Sequence, residues 1–368
     1  MTNKQLLPIA SKKHSQSFSS ALFASYERKE TLNFIVQRLS NYILPAINKF
    51  FKKIKLTDFE NLDYNLILSN QKIRIIDVGA ADGYNPKWDL LKNCLEIYMF
   101  EPETEAYQKL KDQYASNPLR KIINAALSEN GESQTFYITK WPRSSSMYRP
   151  NNKFLSKTFL ANLYEIEKEL KLDTTKLKEY VREADFIKLD VEGYELPILK
   201  GGGELINSLI GVELEVHFND FICQCPSFAE IDIFMKQNEF KLIAIGEPGY
   251  WHYELPNMVY ESKGFITSGD FLYLRMPETI IGLIKSGKWK KEQLAKVISI
   301  YLLLGYYEFA LILVQYSIQE DILNENDDLY LNSLKLIKKR AGVNNIISYN
   351  KYKKIKHFAL SKSVSLYH

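Results

Sequence analysis

The chain has 368 residues, 46% of them hydrophobic and 25% charged, and a formal net charge of +4. At this length folding hides about three quarters of the surface, so a core forms without disulfides or metal, and the composition excludes a disordered, collagenous or disulfide-scaffolded chain. With Lys+Arg at 48 against Asp+Glu at 44, no whole-protein nucleic-acid footprint is indicated, and a nucleic-acid partner is not expected. At roughly 150 residues per domain the length suggests about two to three structural units.

In chain order, Met1 to Ser20 lacks the apolar stretch of a secretory signal. Phe34, Ile35, Leu39, Ile43, Leu44, Ile47 and Phe50 recur at helical spacing, with Pro45 expected to break or kink the helix. From about residue 72 the texture changes. Ile73–Asp77, Leu95–Glu101 and Lys121–Leu127 read as strands separated by helix-like stretches at Pro86–Asn93 and Glu103–Ala115, the alternation of parallel βαβ units. Gln134–Thr139 is β-like, and the charged stretch Lys153–Tyr180 is expected to be helical. Strands at Phe186–Asp190, Gly211–His217, Lys241–Ile245 and Phe271–Arg275 follow, with helices near Leu196–Ile206 and Phe228–Gln237 and an aromatic loop over Pro248–Gly264. About seven strands in one open sheet result. After Pro277 the pattern is helical. The apolar stretch Val297–Ile318 is interrupted by Gly305 and Glu308, and a charge at the bilayer centre costs at least about 2.5 kcal/mol, so two short packed helices are expected there. The turn Gly305–Leu311 is similar to that of a tetratricopeptide-type hairpin.

Basic residues cluster at Lys49, Lys52, Lys53 and Lys55; at Lys288, Lys290 and Lys291; at Lys338, Lys339 and Arg340; and at Lys351, Lys353, Lys354 and Lys356. Such clusters read as solvated helix faces and a basic tail, or as contacts to an anionic membrane surface or glycan. Cys94, Cys223 and Cys225 are odd in number and lack a zinc spacing, which fits a reducing, cytoplasmic setting.

The chemistry concentrates in the middle. Asp77-Val78-Gly79-Ala80-Ala81-Asp82-Gly83 follows a strand and precedes a helix-like stretch. Gly79 and Gly83 permit close approach of a ligand, a helix start offers free N–H groups, and open α/β sheets bind ligands at their carboxyl edge. Ala81 stands where a dinucleotide fingerprint has its second glycine, which weakens a pyrophosphate reading. Asp77 favours a cationic ligand, and Glu101, ending the next strand, suits the two hydroxyls of a ribose. S-adenosylmethionine, which carries an ammonium and a sulfonium and no phosphate, fits this order of residues.

Here the sequence resembles the FkbM-type S-adenosylmethionine-dependent methyltransferases. The matching pieces are Ile76–Gly83, Phe100-Glu101-Pro102, Asn124–Ser128, Ser144–Met147, Ile187–Glu195 and Glu213–Phe218. The most specific is Ile187-Lys188-Leu189-Asp190-Val191-Glu192-Gly193-Tyr194-Glu195. The resemblance covers roughly residues 72–275. It implies an α/β, class I methyltransferase (Rossmann-like) fold: a seven-stranded mostly parallel sheet with helices on both faces and the last strand antiparallel, here with N- and C-terminal helical additions. It also implies O-methylation, commonly of a sugar or polyketide hydroxyl. By position, Gly79, Ala80 and Gly83 would line the methionine part, Glu101 the ribose, and Asn124, Ala125 and Ala126 the adenine. Asp190 would sit beside the methionine amino group or the acceptor.

Strand alternation places Glu213, Glu215 and His217 on one face, and Lys188, Asp190 and Glu192 on one face of the preceding strand. Polar residues in a central strand are costly unless paired or functional. Lys188 is expected to neutralise Glu213 or Glu215, while Asp190, Glu192 and His217 converge at the carboxyl ends as catalytic residues. His217 is the expected general base, with Asp190 as alternative or orienter; such a base contributes typically about 100- to 10,000-fold. Asp190, Glu192, Glu215 and His217 would alternatively hold a hard divalent ion such as Mg2+. For the acceptor, Ser145, Ser146, Glu215 and Trp251 are candidate contacts, Trp251 within a set of loop aromatics that includes Trp141, Tyr148, Tyr250, His252 and Tyr253.

These readings combine into a helical extension over 1–65, a methyltransferase domain over 66–277 and a helical region with a basic tail over 278–368. The expected activity is methylation of a carbohydrate hydroxyl, on a nucleotide sugar or surface glycan. The rivals are a lipid or polyketide hydroxyl as acceptor, and a catalytically degenerate scaffold that binds a partner through its helical flanks.

Overall fold

The structure, a computed structural model, describes residues 63–246, 248–254 and 263–341. The helical pattern expected before residue 63, the basic clusters at Lys49–Lys55 and Lys351–Lys356 and part of the aromatic loop lie outside these residues.

Seven strands form the main sheet: β1 Ile73–Val78, β2 Leu95–Phe100, β3 Arg120–Ile123, β4 Phe186–Leu189, β5 Gly211–His217, β6 Lys241–Ile245 and β7 Ser268–Leu274. Their order is β6-β7-β5-β4-β1-β2-β3. β1, β2, β3, β4 and β5 pair in parallel, and β7 runs antiparallel to both neighbours. The order reverses beside β1, which puts a crevice at the carboxyl ends of β1 and β4. This is the sheet that the alternating apolar runs predict.

The strands are largely apolar on both faces because helices cover both, apart from the row Asp77, Lys188 and Glu213 and the Glu215 and His217 end of β5. The longer helices are α1 Thr104–Gln113, α2 Glu195–Gly202, α3 Phe228–Gln237, α4 Pro277–Lys285, α5 Gln293–Leu303, α6 Tyr307–Gln319 and α7 Asp328–Ala341. On one face Ile76, Val78, Ile187, Leu189, Val212 and Leu214 pack with Leu196 and Leu199 of α2 and Ile231 and Met235 of α3. Ser227 and Glu230 close a capping box at the start of α3, which satisfies two of its free N–H groups. On the other face Ile73, Ile75, Leu95, Ile97, Met99 and Phe186 share one continuous core with Ile280, Leu294, Val297, Tyr301, Leu313 and Leu336 of the C-terminal helices. Residues on both sides of Pro277 therefore belong to a single core. Trp289 Nε1 donates to Asn207 O at 3.0 Å, and Lys296 pairs with the buried Asp185 at 3.0 Å. The Arg275 guanidinium, 1% exposed, donates to the carbonyls of Leu209, Asn238 and Ile206.

The interrupted apolar stretch resolves as expected into α5 and α6, which turn at Gly305 with φ +88°. Among the described residues no helix is long and apolar enough to cross a membrane.

The stretch 153–180 differs from expectation. It holds only four-residue helices at Asn152–Leu155 and Leu177–Tyr180, and between them the strand Ile166–Leu172, antiparallel to Gln134–Thr139. Leu155, Phe159, Leu163, Ile166 and Leu170 stand at three- and four-residue spacing, yet in the fold Ile166, Leu170 and Leu172 share one side of an extended strand, with Lys168 between them. The ribbon needs only one half-covered face. Its loop, residues 140–147, overhangs the carboxyl edge of the sheet, where it contributes to the cavity described below.

Candidate functional site

A cavity of about 550 Å³ opens at the carboxyl ends of β1, β2 and β4, walled by the Gly79–Gly83 turn, Glu101, Asp190, Glu192 and the ribbon loop. That size suits a small organic ligand. The turn is tied down by its own backbone: Gly79 N and Ala80 N both donate to Phe100 O, at 3.2 and 3.3 Å, and Gly83 N to Ala80 O at 2.7 Å. Gly79 has φ +80°, and a Cβ there would stand 1.9 Å from Asp190 O. Glycine is thus required to bring the turn against the end of β4. Gly79, Gly83, Ala81 and Asp82 reach the cavity, whereas Ala80 is 1% exposed and packs into the core. Asp77 lies beneath the turn, 2% exposed, its Oδ1 without a hydrogen bond and 3.9 Å from Lys188 Nζ. Burial pushes its carboxyl up to about 7.

The segment after the turn is not the α-helix start that the spacing suggests. Pro86–Cys94 is 3-10 helical with a kink at Lys92. Pro86 has no N–H to offer, and Asn85 Oδ1 already accepts from Lys87 N at 3.0 Å.

Glu101 is 5% exposed at the end of β2 and faces the cavity. Its Oε1 accepts from Glu103 N at 2.9 Å, and burial pushes its carboxyl up to about 6. Asn124 does not reach the cavity wall. Its Nδ2 donates to Glu101 O at 2.9 Å and Pro102 O at 3.1 Å, so it braces the Glu101 turn, while Ala125 and Ala126 reach the wall.

At the end of β4, Asp190 N continues the ladder by donating to Val78 O at 3.1 Å. The chain then passes through left-handed backbone at Glu192, φ +55°, and Gly193, φ +95°. Glu195, 1% exposed, holds that turn: its Oε1 accepts from Val191 N at 3.0 Å and Gly193 N at 3.2 Å. Its role is visible only in the folded turn, although the residue sits in the most specific motif. Ser146, itself buried, donates from Oγ to Glu192 O at 2.7 Å and so ties the ribbon loop to the turn. Ser145 lines the cavity, and its Oγ accepts from Thr139 N at 3.2 Å.

Asp190 and Glu192 face the cavity; Glu215 and His217 stand behind them. His217 Nε2 lies 3.1 Å from Glu215 Oε2 and 3.9 Å from Glu192 Oε2, and Nδ1 lies 3.8 Å from Cys225 Sγ. Burial alone would lower the imidazole, but its contacts with Cys225 and Glu215 hold it well above the usual histidine value. Glu215 is burdened by burial but brought down by His217, and burial with Glu215 nearby raises Glu192 well above the usual carboxylate range. These directions favour a protonated His217 against an ionised Glu215, with Glu192 holding its proton more tightly than a free carboxylate, an arrangement in which His217 serves as an electrostatic anchor. The ligand atoms of Glu192, Glu215 and His217 lie within 4.8 Å of one another, a spacing that suits a metal ion. Asp190 lies outside that group.

Lys188 makes no ion pair with Glu213 or Glu215, although its charge helps hold the Glu215 carboxyl down. Its Nζ lies 3.1 Å from Asp190 Oδ2, and Glu213 pairs instead with Lys87 Nζ at 2.7 Å. Asp77, Lys188 and Glu213 stand in one cross-strand row. The segment after the cofactor turn supplies Lys87 from above that row, a pairing no local spacing announces. Trp251 packs against Phe221 at 4.7 Å and Tyr164 at 5.6 Å and does not reach the cavity wall, whereas Trp141 and Arg143 do.

Residues 77–242 match the family model described as Methyltransferase FkbM domain. No curated protein sequence matches the chain. Among solved structures, magnesium protoporphyrin IX methyltransferase from Synechocystis PCC 6803 with bound SAM aligns at 11% identity over 66% of this chain and 96% of that one, with a TM-score of 0.29. An rRNA methylase from Streptococcus thermophilus aligns at 10% identity over 58% and 93%, with a TM-score of 0.27. A precorrin-6y C5,15-methyltransferase from Geobacter metallireducens aligns at 10% identity over 58% and 88%, with a TM-score of 0.28. The β6-β7-β5-β4-β1-β2-β3 sheet carrying this domain is the class I methyltransferase architecture, and residues 77–242 make the protein a methyltransferase with a domain of the FkbM family.

Proposed function

We propose that the protein is an S-adenosylmethionine-dependent O-methyltransferase whose acceptor is a carbohydrate hydroxyl, on a nucleotide sugar or a glycan. The observation that carries the reading is the placement of two carboxylates in one cavity: Glu101 at the end of β2 and Asp190 at the end of β4, with the Gly79–Gly83 turn in the same wall. Glu101 has one oxygen bonded to Glu103 N and accepts ribose hydroxyls with the other. When bound, the cofactor supplies an electrophilic methyl group on a sulfonium.

Asp190 is the accessible carboxylate, with a side chain 44% exposed and oriented by Lys188. It takes the proton of the acceptor hydroxyl as methyl transfer proceeds, because a sugar hydroxyl does not ionise unaided at neutral pH. His217 holds Glu215, and through the shared turn keeps Glu192 at the wall. Carboxyl groups at Asp190 and Glu192 beside the exposed Trp141 suit a polyhydroxylated acceptor, which offers several donors and an apolar ring face.

The test is Asp190→Asn. Turnover falls about 100- to 10,000-fold while calorimetric affinity for S-adenosylhomocysteine stays within a few-fold. Unchanged turnover removes Asp190 as base. Mass spectrometry of glycans and nucleotide sugars from cells with and without the protein shows the loss of one methyl increment on a sugar; a loss confined to lipids overturns the carbohydrate assignment.

A further inference from the structure

We infer that Arg143 binds the α-carboxylate of the cofactor's methionine end, an assignment that rests on the cofactor reading above. That end is zwitterionic. Its ammonium and the sulfonium suit a wall that carries Asp82, Glu101, Glu103, Asp190 and Glu192. The carboxylate meets the opposite problem, since the same acids repel it.

Few groups are placed to offset that repulsion. In many open α/β sheets an anion sits at the helix start after the first strand. Here that start is a 3-10 turn whose first residue, Pro86, has no N–H, and Asn85 has already taken the Lys87 N–H. Among the described residues only two cationic side chains reach the wall, Lys188 and Arg143. Lys188 is held between Asp190 at 3.1 Å and Asp77 at 3.9 Å. Arg143 remains.

Its position suits the task. Arg143 stands on the ribbon loop, and its Nη2 lies 2.8 Å from Oδ2 of Asp82, the residue just before Gly83 in the cofactor turn. One nitrogen is thereby pinned, and the other guanidinium donors meet no protein acceptor among the described residues. The side chain is 70% exposed, so the fork is open to a bidentate carboxylate. The loop beneath it is fixed: Ser144 Oγ bonds Thr139 Oγ1 at 2.8 Å and Trp141 O at 2.9 Å, and Ser146 Oγ bonds Glu192 O.

The experiment is calorimetry on the full chain with S-adenosylmethionine, decarboxylated S-adenosylmethionine and 5′-methylthioadenosine, comparing the unaltered protein with Arg143→Met. The unaltered protein prefers the carboxylated ligand over the decarboxylated one by about 10- to 100-fold, the range of a charge-assisted contact. R143M loses that preference and keeps its affinity for 5′-methylthioadenosine, with an unchanged melting temperature. Arg143→Lys, which keeps the charge without the fork, falls between. A preference that survives in R143M overturns the assignment, as does an equal loss for all three ligands. Failure of all three to bind the unaltered protein overturns the cofactor reading itself, and the wild-type titration tells that apart.

Discussion

Replacing Gly79 by alanine tests how closely the cofactor turn is wedged against the catalytic strand. Two costs arise. The backbone there has φ +80°, and a residue with a Cβ in left-handed geometry costs about 1–2 kcal/mol. The new methyl would also stand 1.9 Å from Asp190 O, where ordinary contact begins near 3.4 Å. The Asp190 carbonyl shares its peptide plane with Val191 N, which donates to Glu195 Oε1 at 3.0 Å, so it cannot rotate away without breaking that bond, and an overpacking penalty of about 1–3 kcal/mol applies. The total, about 2–5 kcal/mol, is a large share of the 5–15 kcal/mol, roughly, that holds a domain together. Gly131 supplies the control. Its φ is +76°, but a Cβ there meets nothing closer than 3.7 Å, so Gly131→Ala incurs only the backbone cost. Urea denaturation of both variants isolates the clash as their difference, and calorimetry shows whether the parted turn still binds S-adenosylhomocysteine. Equal destabilisation in G79A and G131A, with cofactor affinity intact, refutes the wedge.

Glu101 links cofactor affinity to pH. Its carboxyl sits at about 6 in the fold against 4.5 ordinarily, so between those values it is protonated when folded and ionised when unfolded. Stability of the free protein therefore declines as pH rises through that window, while affinity for the cofactor rises towards a plateau above about 6, because the ionised form accepts both hydroxyls. Glu101→Gln flattens the affinity profile and removes only its own part of the stability slope, to which Asp77 also contributes; an unchanged affinity profile in that variant excludes Glu101 as the titrating group. Removing the imidazolium by His217→Phe leaves Glu215 and Glu192 facing each other. Breaking such a buried pair costs about 3–5 kcal/mol, read as a shift in denaturation midpoint, and Glu215→Leu in the same chain restores part of it. Because the folded imidazole stays protonated well above its ordinary 6.5, its stabilisation is full below that value and fades as pH rises through the folded value, so the deficit narrows at alkaline pH. A variant as stable as the parent at pH 6 contradicts the pairing.

The sheet was legible because its strands are apolar runs punctuated by glycine and acid. Ile73–Val78, the Gly79–Gly83 turn and Glu101 each declare their place through local chemistry. The ribbon strand Ile166–Leu172 was hidden because Glu167, Lys168, Glu169 and Lys171 fill the positions between its inward residues, and a charged stretch reads as helix when one face alone is covered. Lys87 and Glu213 stand 126 positions apart, so only the fold brings them together. Strand alternation puts Glu215 and His217 on one face, whereas Glu192 reaches them from the left-handed turn beyond β4. Their protonation does not follow from alternation, since it depends on how deeply Cys225, Phe221 and the ribbon enclose them. Nor does spacing show that Glu215 grips His217 and, with Cys225, raises its imidazole above the usual histidine value.

The core shared by the sheet and the C-terminal helices constrains the order in which this protein can be made. Ile73, Ile75, Leu95 and Ile97 are synthesised early, yet their covering partners Val297, Tyr301, Leu313 and Leu336 come 200 residues or more later. During translation that side of the sheet has only partial cover, from residues such as Tyr64, Leu68, Trp88 and Leu110, until those helices leave the ribosome, although every residue of the cofactor cavity has by then been made. Domains generally fold as units, and exposed apolar surface invites aggregation in the interval. Competence for catalysis is thus postponed until α4 to α7 have emerged, and a nascent chain halted after β7 would be a client for a chaperone before it was an enzyme.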